Sequence, residues 1–328
     1  MNVLVTGGTG FLGKRLALKL RSHNHQVTIL GRNAAIGAQL AAMGMRFVQA
    51  DLRDWDAIAA ACKGQHCVFH CAAYSSPWGK SKTFYDINVL GTRHLVQGCL
   101  KHQVQRLIHV STSAVYFTYA HQLQILESQP FARPVNAYAK TKQLAEQEIA
   151  QAQQQGLSTI ILRPRGIFGP GDTALLPRLL AASDRTGIPL IHQGKARVDV
   201  TYVDNVIDAL ICAQTAPNSL SGKIYNITNG EPLPLIDLLN RVSRQLEQPL
   251  NFRPFFFPVA YGLAAAMESA ASVFSLSEPP LTRYTVGLMA FSQTLNIERA
   301  IADLGYRPKL SLADGIAKFS CWWKSHSE

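Results

Sequence analysis

A phenol and an amine four residues apart are the first chemistry this chain offers. In Tyr138-Ala139-Lys140-Thr141-Lys142 both side chains share one face if the segment is helical. The run behind it, residues 143–150, is made of good helix formers. A phenol alone titrates near pH 10 and is a poor acid or base at neutral pH; a nearby ammonium favours the phenolate and lowers that pKa. The spacing therefore describes a proton-transfer device. Of ten tyrosines only Tyr138 has a lysine at i+4, a coincidence that chance can produce. The pair counts only if a cofactor site and a carbonyl-binding group converge on it.

The elements that must position such a pair are legible in the first half of the chain. Val3-Leu4-Val5 is a short apolar run of the kind buried in a parallel sheet. Thr6-Gly7-Gly8-Thr9-Gly10-Phe11-Leu12-Gly13 follows at once, then an amphipathic helix through Leu16, Leu18 and Leu20. Strand, glycine turn and helix form the context of a dinucleotide fingerprint. Gly7 allows the tight turn, Gly10 lets the backbone approach a pyrophosphate, and Gly13 packs helix on strand. The helix N-terminus then faces the phosphates with free N–H groups. A second strand, 26–30, ends in Gly31-Arg32-Asn33, where a dinucleotide site without a 2′-phosphate usually carries Asp or Glu. Arg32 points to NADP(H), with NAD(H) possible; the other reading is a solvated surface arginine. Further strands are expected at 46–50, 67–70 and 106–110, with a long helix from Lys82 to His102. His70 reads as a packed core residue. The hydroxyls Ser111-Thr112-Ser113 follow the fifth strand, where open α/β sheets bind ligands, although such clusters also serve as caps.

Composition bounds the class. The chain has 328 residues, 47% hydrophobic and 16% charged, with a net charge of +11. That suffices for one large α/β domain with an appendage, or for two domains. The basic residues are scattered. They suit phosphorylated cofactors or a peripheral contact with acidic membrane, and argue against nucleic acid. Cys62, Cys67, Cys71, Cys99, Cys212 and Cys321 form no C-x-x-C pair and no zinc spacing. No metal site, reduced thiols and a cytoplasmic location are the expectation. Neither a secretory signal nor an apolar run long enough to span a membrane is seen.

The motifs together carry a resemblance. In order they are Gly7-x-x-Gly10-x-x-Gly13, Asp51-Leu52, Ala72-Ala73, Asn88-Val89-x-Gly91-Thr92, Ser111-Thr112-Ser113-x-Val115-Tyr116 and Tyr138-x-x-x-Lys142. Leu162-Arg163-Pro164-x-x-x-Phe168-Gly169-Pro170-Gly171 and Tyr202-Val203-Asp204-Asn205-Val206 follow. The chain resembles the extended short-chain dehydrogenase/reductase superfamily, of the NAD-dependent epimerase/dehydratase type. The resemblance implies an α/β fold, a doubly wound Rossmann parallel sheet with a smaller C-terminal substrate-binding subdomain. It assigns residues 1–165, with 198–228 returning, to the dinucleotide domain, and 166–197 and 229–328 to the subdomain. It implies Tyr138 as catalytic acid/base, Lys142 as ligand of the nicotinamide ribose that lowers the Tyr138 pKa, and Thr112 as the catalytic hydroxyl, with Ser113 as runner-up. Asn88 joins this catalytic set. Cofactor contacts fall on Gly7, Gly10, Phe11, Leu12, Gly13, Arg32, Asp51, Leu52, Ala72, Ala73 and Pro164, besides Tyr138 and Lys142. Substrate contacts fall on Trp78, Ser113, Phe168 and Tyr261. A homodimer through the helices near 82–102 and 136–155 is also implied. Phe117 departs from the pattern, since many relatives have glycine after Val-Tyr.

The C-terminal half bears on the substrate. Between Arg253 and Glu268 lie only uncharged residues, including Phe255, Phe256, Phe257 and Tyr261. Such a run is more often a core or interfacial helix than a membrane span. With Trp78-Gly79, Pro280-x-Thr282-Arg283 and Leu304-Gly305-Tyr306-Arg307-Pro308, it resembles the 3β-hydroxysteroid dehydrogenase-like branch and its bacterial β-keto acid reductases. The aromatics either line a pocket or complete a small core. The leading expectation is an NADP(H)-dependent oxidoreductase acting on a lipophilic ketone or secondary alcohol. The alternatives are a nucleotide-sugar epimerase/dehydratase and a non-catalytic NADP-sensing protein.

Overall fold

Seven apolar runs form the main sheet. They are β1 (Asn2–Thr6), β2 (Gln26–Gly31), β3 (Arg46–Gln49), β4 (Cys67–His70), β5 (Arg106–Val110), β6 (Ser158–Pro164) and β7 (Lys223–Ile227). The computed structural model describes residues 1–274 and 277–326. The strands lie in the order β7-β6-β5-β4-β1-β2-β3, and every neighbouring pair is parallel. The chain runs outward from β1 in one direction and from β4 in the other. The crevice at this switch, beyond the carboxyl ends of β1 and β4, is where open α/β sheets bind ligands.

Strand periodicity decides which core each residue feeds. Val3 and Val5 of β1 pack with Leu16 and Leu20 of α1 (Phe11–Ser22), whereas Leu4 packs on the opposite face with Val68, Leu95 and Leu107. The helix expected over Lys82–His102 is continuous but not uniform. It is α-helical at Ser81–Phe84, π-helical at Tyr85–Leu90 and α-helical again at Gly91–Lys101. The helix Ala137–Gln154 begins where the Asn136 side chain accepts the Ala139 N–H at 2.8 Å.

The smaller lobe has its own four-stranded sheet. Its order is Leu233–Pro234, Arg197–Val198, Gln293–Leu295, Gln122–Ile125. Gln122–Ile125 therefore crosses the division expected at residue 165: it leaves the dinucleotide half to pair with Gln293–Leu295. In return Glu298–Leu304 packs on β7, where Tyr225 donates to Asp303 at 3.1 Å.

The aromatic stretch forms a strand, Phe252–Phe255, running parallel to Ile188–Ile191, and then the helix Phe257–Val273. Ala260 and Ala264 pack inward against Ile191, Val286 and Ala290. Phe255 and Phe257 join that cluster, while Phe256 is 82% exposed and continues into an exposed face of Val259, Leu263, Val273 and Phe274. Among the described residues no helix is long and apolar enough to cross a membrane. Of the stretch 251–295 read from the sequence, Ser275 and Leu276 lie outside the described residues.

Candidate active site

The turn after β1 leaves room for a ligand and little else. Gly7 has φ of +68°, and a Cβ there would stand 2.9 Å from the Ala72 backbone. At Gly13 a Cβ would fall 2.2 Å from the Gly7 carbonyl oxygen, so only glycine lets α1 sit on this strand. Gly10 begins α1 with no side-chain cap, and no acidic residue stands in the first turn. The helices that start at Ala34, Trp55 and Ala137 are instead capped by Asn33, Asp54 and Asn136. The backbone N–H groups at the start of α1, through Phe11, Leu12 and Gly13, are thus available to an anion. This cradle fits the pyrophosphate of a dinucleotide.

Around it the remaining positions divide. Arg32 follows β2 with its side chain 70% exposed, its Nη1 3.7 Å from Asp51. Asp51 is held more closely by Arg53 at 2.8 Å, which keeps its carboxyl below the usual range. The Ala72 N–H donates to Thr6 at 3.3 Å, and Ala73 beside it is exposed. Leu52 is buried against Gly91, and Pro164 is buried where β6 pairs with Ile227 of β7.

Tyr138 sits in the first turn of its helix, facing the carboxyl end of β5. Burial holds its phenol above the ordinary pKa, and the hydroxyls of Ser75 and Thr112 act in the opposite sense. Lys142 is fully buried one turn on. Its Nζ donates to the Val110 carbonyl at 2.8 Å and lies 3.1 Å from His109 Nε2. Burial pushes its pKa down to about 8, opposed by Glu146 and Cys71. In the protein alone burial outweighs any lowering of the Tyr138 pKa, and the Lys142 ammonium is held by the Val110 carbonyl and His109. Behind it His70 bridges Thr6 at 2.8 Å and Thr92 at 2.9 Å, and burial pushes its pKa down to about 3. It is a neutral core residue.

The three consecutive hydroxyls have separate fates. Ser111 donates to Glu146, whose carboxylate takes Arg163 through Nε at 2.9 Å and Nη2 at 2.5 Å. Arg163 also donates to the Tyr116 hydroxyl, which donates to Asn226 at 3.1 Å. Ser113 is buried, its carbonyl taken by Gln293 at 3.4 Å. Thr112 alone is half-buried and acts on Tyr138. The Ser111–Glu146–Arg163–Tyr116–Asn226 chain was not anticipated. It braces β5, β6, β7 and the Tyr138 helix from below.

The Asn88 side chain, expected in the catalytic set, is engaged with protein groups. Its Oδ1 accepts from the Tyr74 N–H at 2.7 Å, and its Nδ2 donates to the Tyr74 carbonyl at 3.2 Å and to Thr141 at 3.1 Å. With both polar atoms engaged it ties the loop carrying Ser75 to the helix carrying Tyr138. The π-helical turn sets the residue in that place. Trp78 lies in the same loop, its N–H on Ser76 at 3.2 Å. Phe168 is corrected. It is 1% exposed, with its ring on Tyr202 and Gly315, and stands in the main core. Tyr261 meets Tyr119 edge to face at 5.3 Å. Phe117, the departure from the motif, lies between Tyr119 and Tyr284 and over Gly287, where a Cβ would be 2.8 Å from its ring.

Residues 3–228 match the model of the NAD dependent epimerase/dehydratase family. The chain belongs to this family. Several relatives match it nearly end to end. It is 35% identical to the 2-alkyl-3-oxoalkanoate reductase of Stenotrophomonas maltophilia, over 97% of this chain and 98% of that one. It is 31% identical to the human sterol-4-alpha-carboxylate 3-dehydrogenase, decarboxylating, over 96% and 86%. The solved DesIV, a dTDP-glucose 4,6-dehydratase from Streptomyces venezuelae with NAD and TYD bound, superposes with a TM-score of 0.80 over 99% and 98% at 24% identity, a likeness of fold. This epimerase/dehydratase-family chain is an NAD(P)-dependent enzyme of the extended short-chain dehydrogenase/reductase type, built on a Rossmann sheet.

Proposed function

We propose that this enzyme is an NADP(H)-dependent oxidoreductase that interconverts a ketone and a secondary alcohol on a lipophilic substrate, either sterol-like or a long-chain β-keto/β-hydroxy compound. The names of the two relatives above support the reaction class. Arg32 at the end of β2, with no acid in Gly31-Arg32-Asn33, supports the 2′-phosphate. The observation that carries the lipophilic reading is the wall beside Tyr138. The Tyr138 ring stands 6.4 Å from Phe84, which packs on Tyr74 at 4.6 Å, and Phe117 and Tyr119, on the segment that follows Thr112, form an aromatic cluster with Tyr284.

When bound, the nicotinamide supplies or takes the hydride at the oxygen-bearing carbon. The protein supplies position and proton. Thr112 and Tyr138 hold the substrate oxygen, and in reduction Tyr138 gives its proton to that oxygen. A phenol above its ordinary pKa is fully protonated at neutral pH and ready to donate. For the phenolate left behind, the fold offers the hydroxyls of Ser75 and Thr112 and the Lys142 ammonium one helical turn away.

A second reading, a nucleotide-sugar epimerase or dehydratase, is favoured by the fold of DesIV. One experiment separates the two. NADPH consumption is followed over a series of alkyl ketones of increasing length, with UDP and dTDP as inhibitors. Each buried methylene adds about 0.8 kcal/mol, close to fourfold, so kcat/KM should climb stepwise until the pocket is full. A flat series together with strong inhibition by a nucleoside diphosphate would overturn the lipophilic reading.

A further inference from the structure

Two arginines stand two residues apart at the end of β6, and they are treated differently. Arg163 is buried and fully matched, with Glu146 on one edge and the Tyr116 ring beneath it. Arg165 is 7% exposed and has no such match. Its Nη1 donates to the Gln293 side chain. Its Nε is enclosed and has no hydrogen-bond partner among the described residues. No carboxylate among them lies within ion-pair distance of it. Asp199, the acid that acts on it, has its Oδ2 taken by the Leu295 N–H at 2.7 Å. A guanidinium is a planar fork that remains charged, and burying it is tolerated where a carboxylate meets it.

Its surroundings tie it to the catalytic groups. Gln293, which holds Arg165, also holds the Ser113 carbonyl, next to Thr112. Arg197 is charged as well and acts on Asp199.

We propose that Arg165 is the residue that receives the carboxylate when the substrate is a β-keto or β-hydroxy acid of the kind named above. Its C3 oxygen lies on Thr112 and Tyr138, its carboxylate on Arg165, and its chain along the aromatic wall. The inference rests on the oxidoreductase reading above and adds to it the residue that meets the acid group. The short spacer between the two oxygen-bearing carbons of such an acid suits two anchors linked through Gln293 and the Ser113 carbonyl.

The test uses the stable oxidative direction and a matched pair, 3-hydroxydodecanoate and its methyl ester, with NADP⁺ on the full chain. In wild type the acid should be the better substrate. In Arg165→Met the acid-to-ester ratio of kcat/KM should fall by roughly ten- to a hundred-fold, the usual worth of hydrogen bonds to a charged group, with the loss mainly in KM. Arg165→Lys, which keeps the charge without the fork, should fall between. Equal losses for acid and ester would make Arg165 a structural residue and overturn the proposal. Should Arg165→Met fail to fold, wild type alone decides through inhibition by dodecanoate and by dodecanol. Dodecanoate at least tenfold tighter supports the site, and equal inhibition overturns it. If neither hydroxy compound is oxidised but dodecanoate still binds at least tenfold tighter than dodecanol, the oxidoreductase reading fails while the carboxylate site stands.

Discussion

The two walls of the cleft are built on different terms. The dinucleotide wall is backbone against backbone: a Cβ at Gly7 would meet Ala72 at 2.9 Å, and one at Gly13 would meet Gly7 at 2.2 Å. It has no slack and suits a ligand of one fixed shape. The opposite wall is ring against ring, with Phe117 on Tyr284 at 5.2 Å, Tyr119 on Tyr261 at 5.3 Å and Phe257 on Phe291 at 4.9 Å. Edge-to-face rings can repack for a new neighbour at modest cost. One fold can therefore keep its cofactor while its substrate changes.

The sharpest way to separate the walls is at the group between them. Tyr138→Phe keeps the ring and removes the proton. Turnover should fall by about 10²–10⁴-fold with NADPH binding little altered, as read by stopped-flow and by fluorescence titration. Near-normal turnover would rule out the assigned acid. On the rigid wall, Arg32→Ala should weaken NADPH by roughly ten- to a hundred-fold and NADH far less. Equal losses for both would mean that Arg32 does not read a 2′-phosphate.

Lys142 gives a third handle, through pH. Burial holds its pKa at about 8 against an ordinary 10.5. As pH rises through about 8 the ammonium is lost, and kcat/KM for reduction should drop about tenfold per unit. Stability should move the other way. Between about 8 and 10.5 the unfolded chain holds a proton here that the folded one has released, so unfolding free energy rises with pH across that window. A pH profile flat to 10 would show that Lys142 stays charged. The smallest effect is expected on the soft wall. Tyr261→Phe conserves volume and should cost less than about 1.5 kcal/mol in thermal unfolding. A loss several times larger would show that this wall is as unforgiving as the other.

How much of this could be read from the sequence follows the range of the contacts. β1, β4 and β5 are apolar runs whose neighbours are strands of the same kind, so pattern alone finds them. The Tyr138 helix carries its own formers and its Asn136 cap within a few residues. The π-helical turn at Tyr85–Leu90 leaves a helical pattern that reads as ordinary. Gln122–Ile125 was missed because only its pairing with Gln293–Leu295, far along the chain, makes it a strand. Phe168 belongs to a motif that the resemblance ties to the site, and its depth is set by Tyr202 and Gly315. Arg165 looks like any basic residue after a proline. Its burial, its bond to Gln293 and the lack of a facing carboxylate among the described residues distinguish it from a surface arginine.

A helix that reserves its first turn for a ligand folds at a disadvantage until that ligand arrives. α1 begins at Gly10 with no side chain to satisfy its N–H groups, while its neighbours carry Asn or Asp for the purpose. At a hundred times its dissociation constant, a bound dinucleotide adds about 2.7 kcal/mol to unfolding. The lifetime of the first strand-turn-helix unit against proteolysis is then coupled to the nicotinamide pool. In a cell poor in that nucleotide the unit would open more often than in a replete one, and the abundance of the enzyme would follow its cofactor.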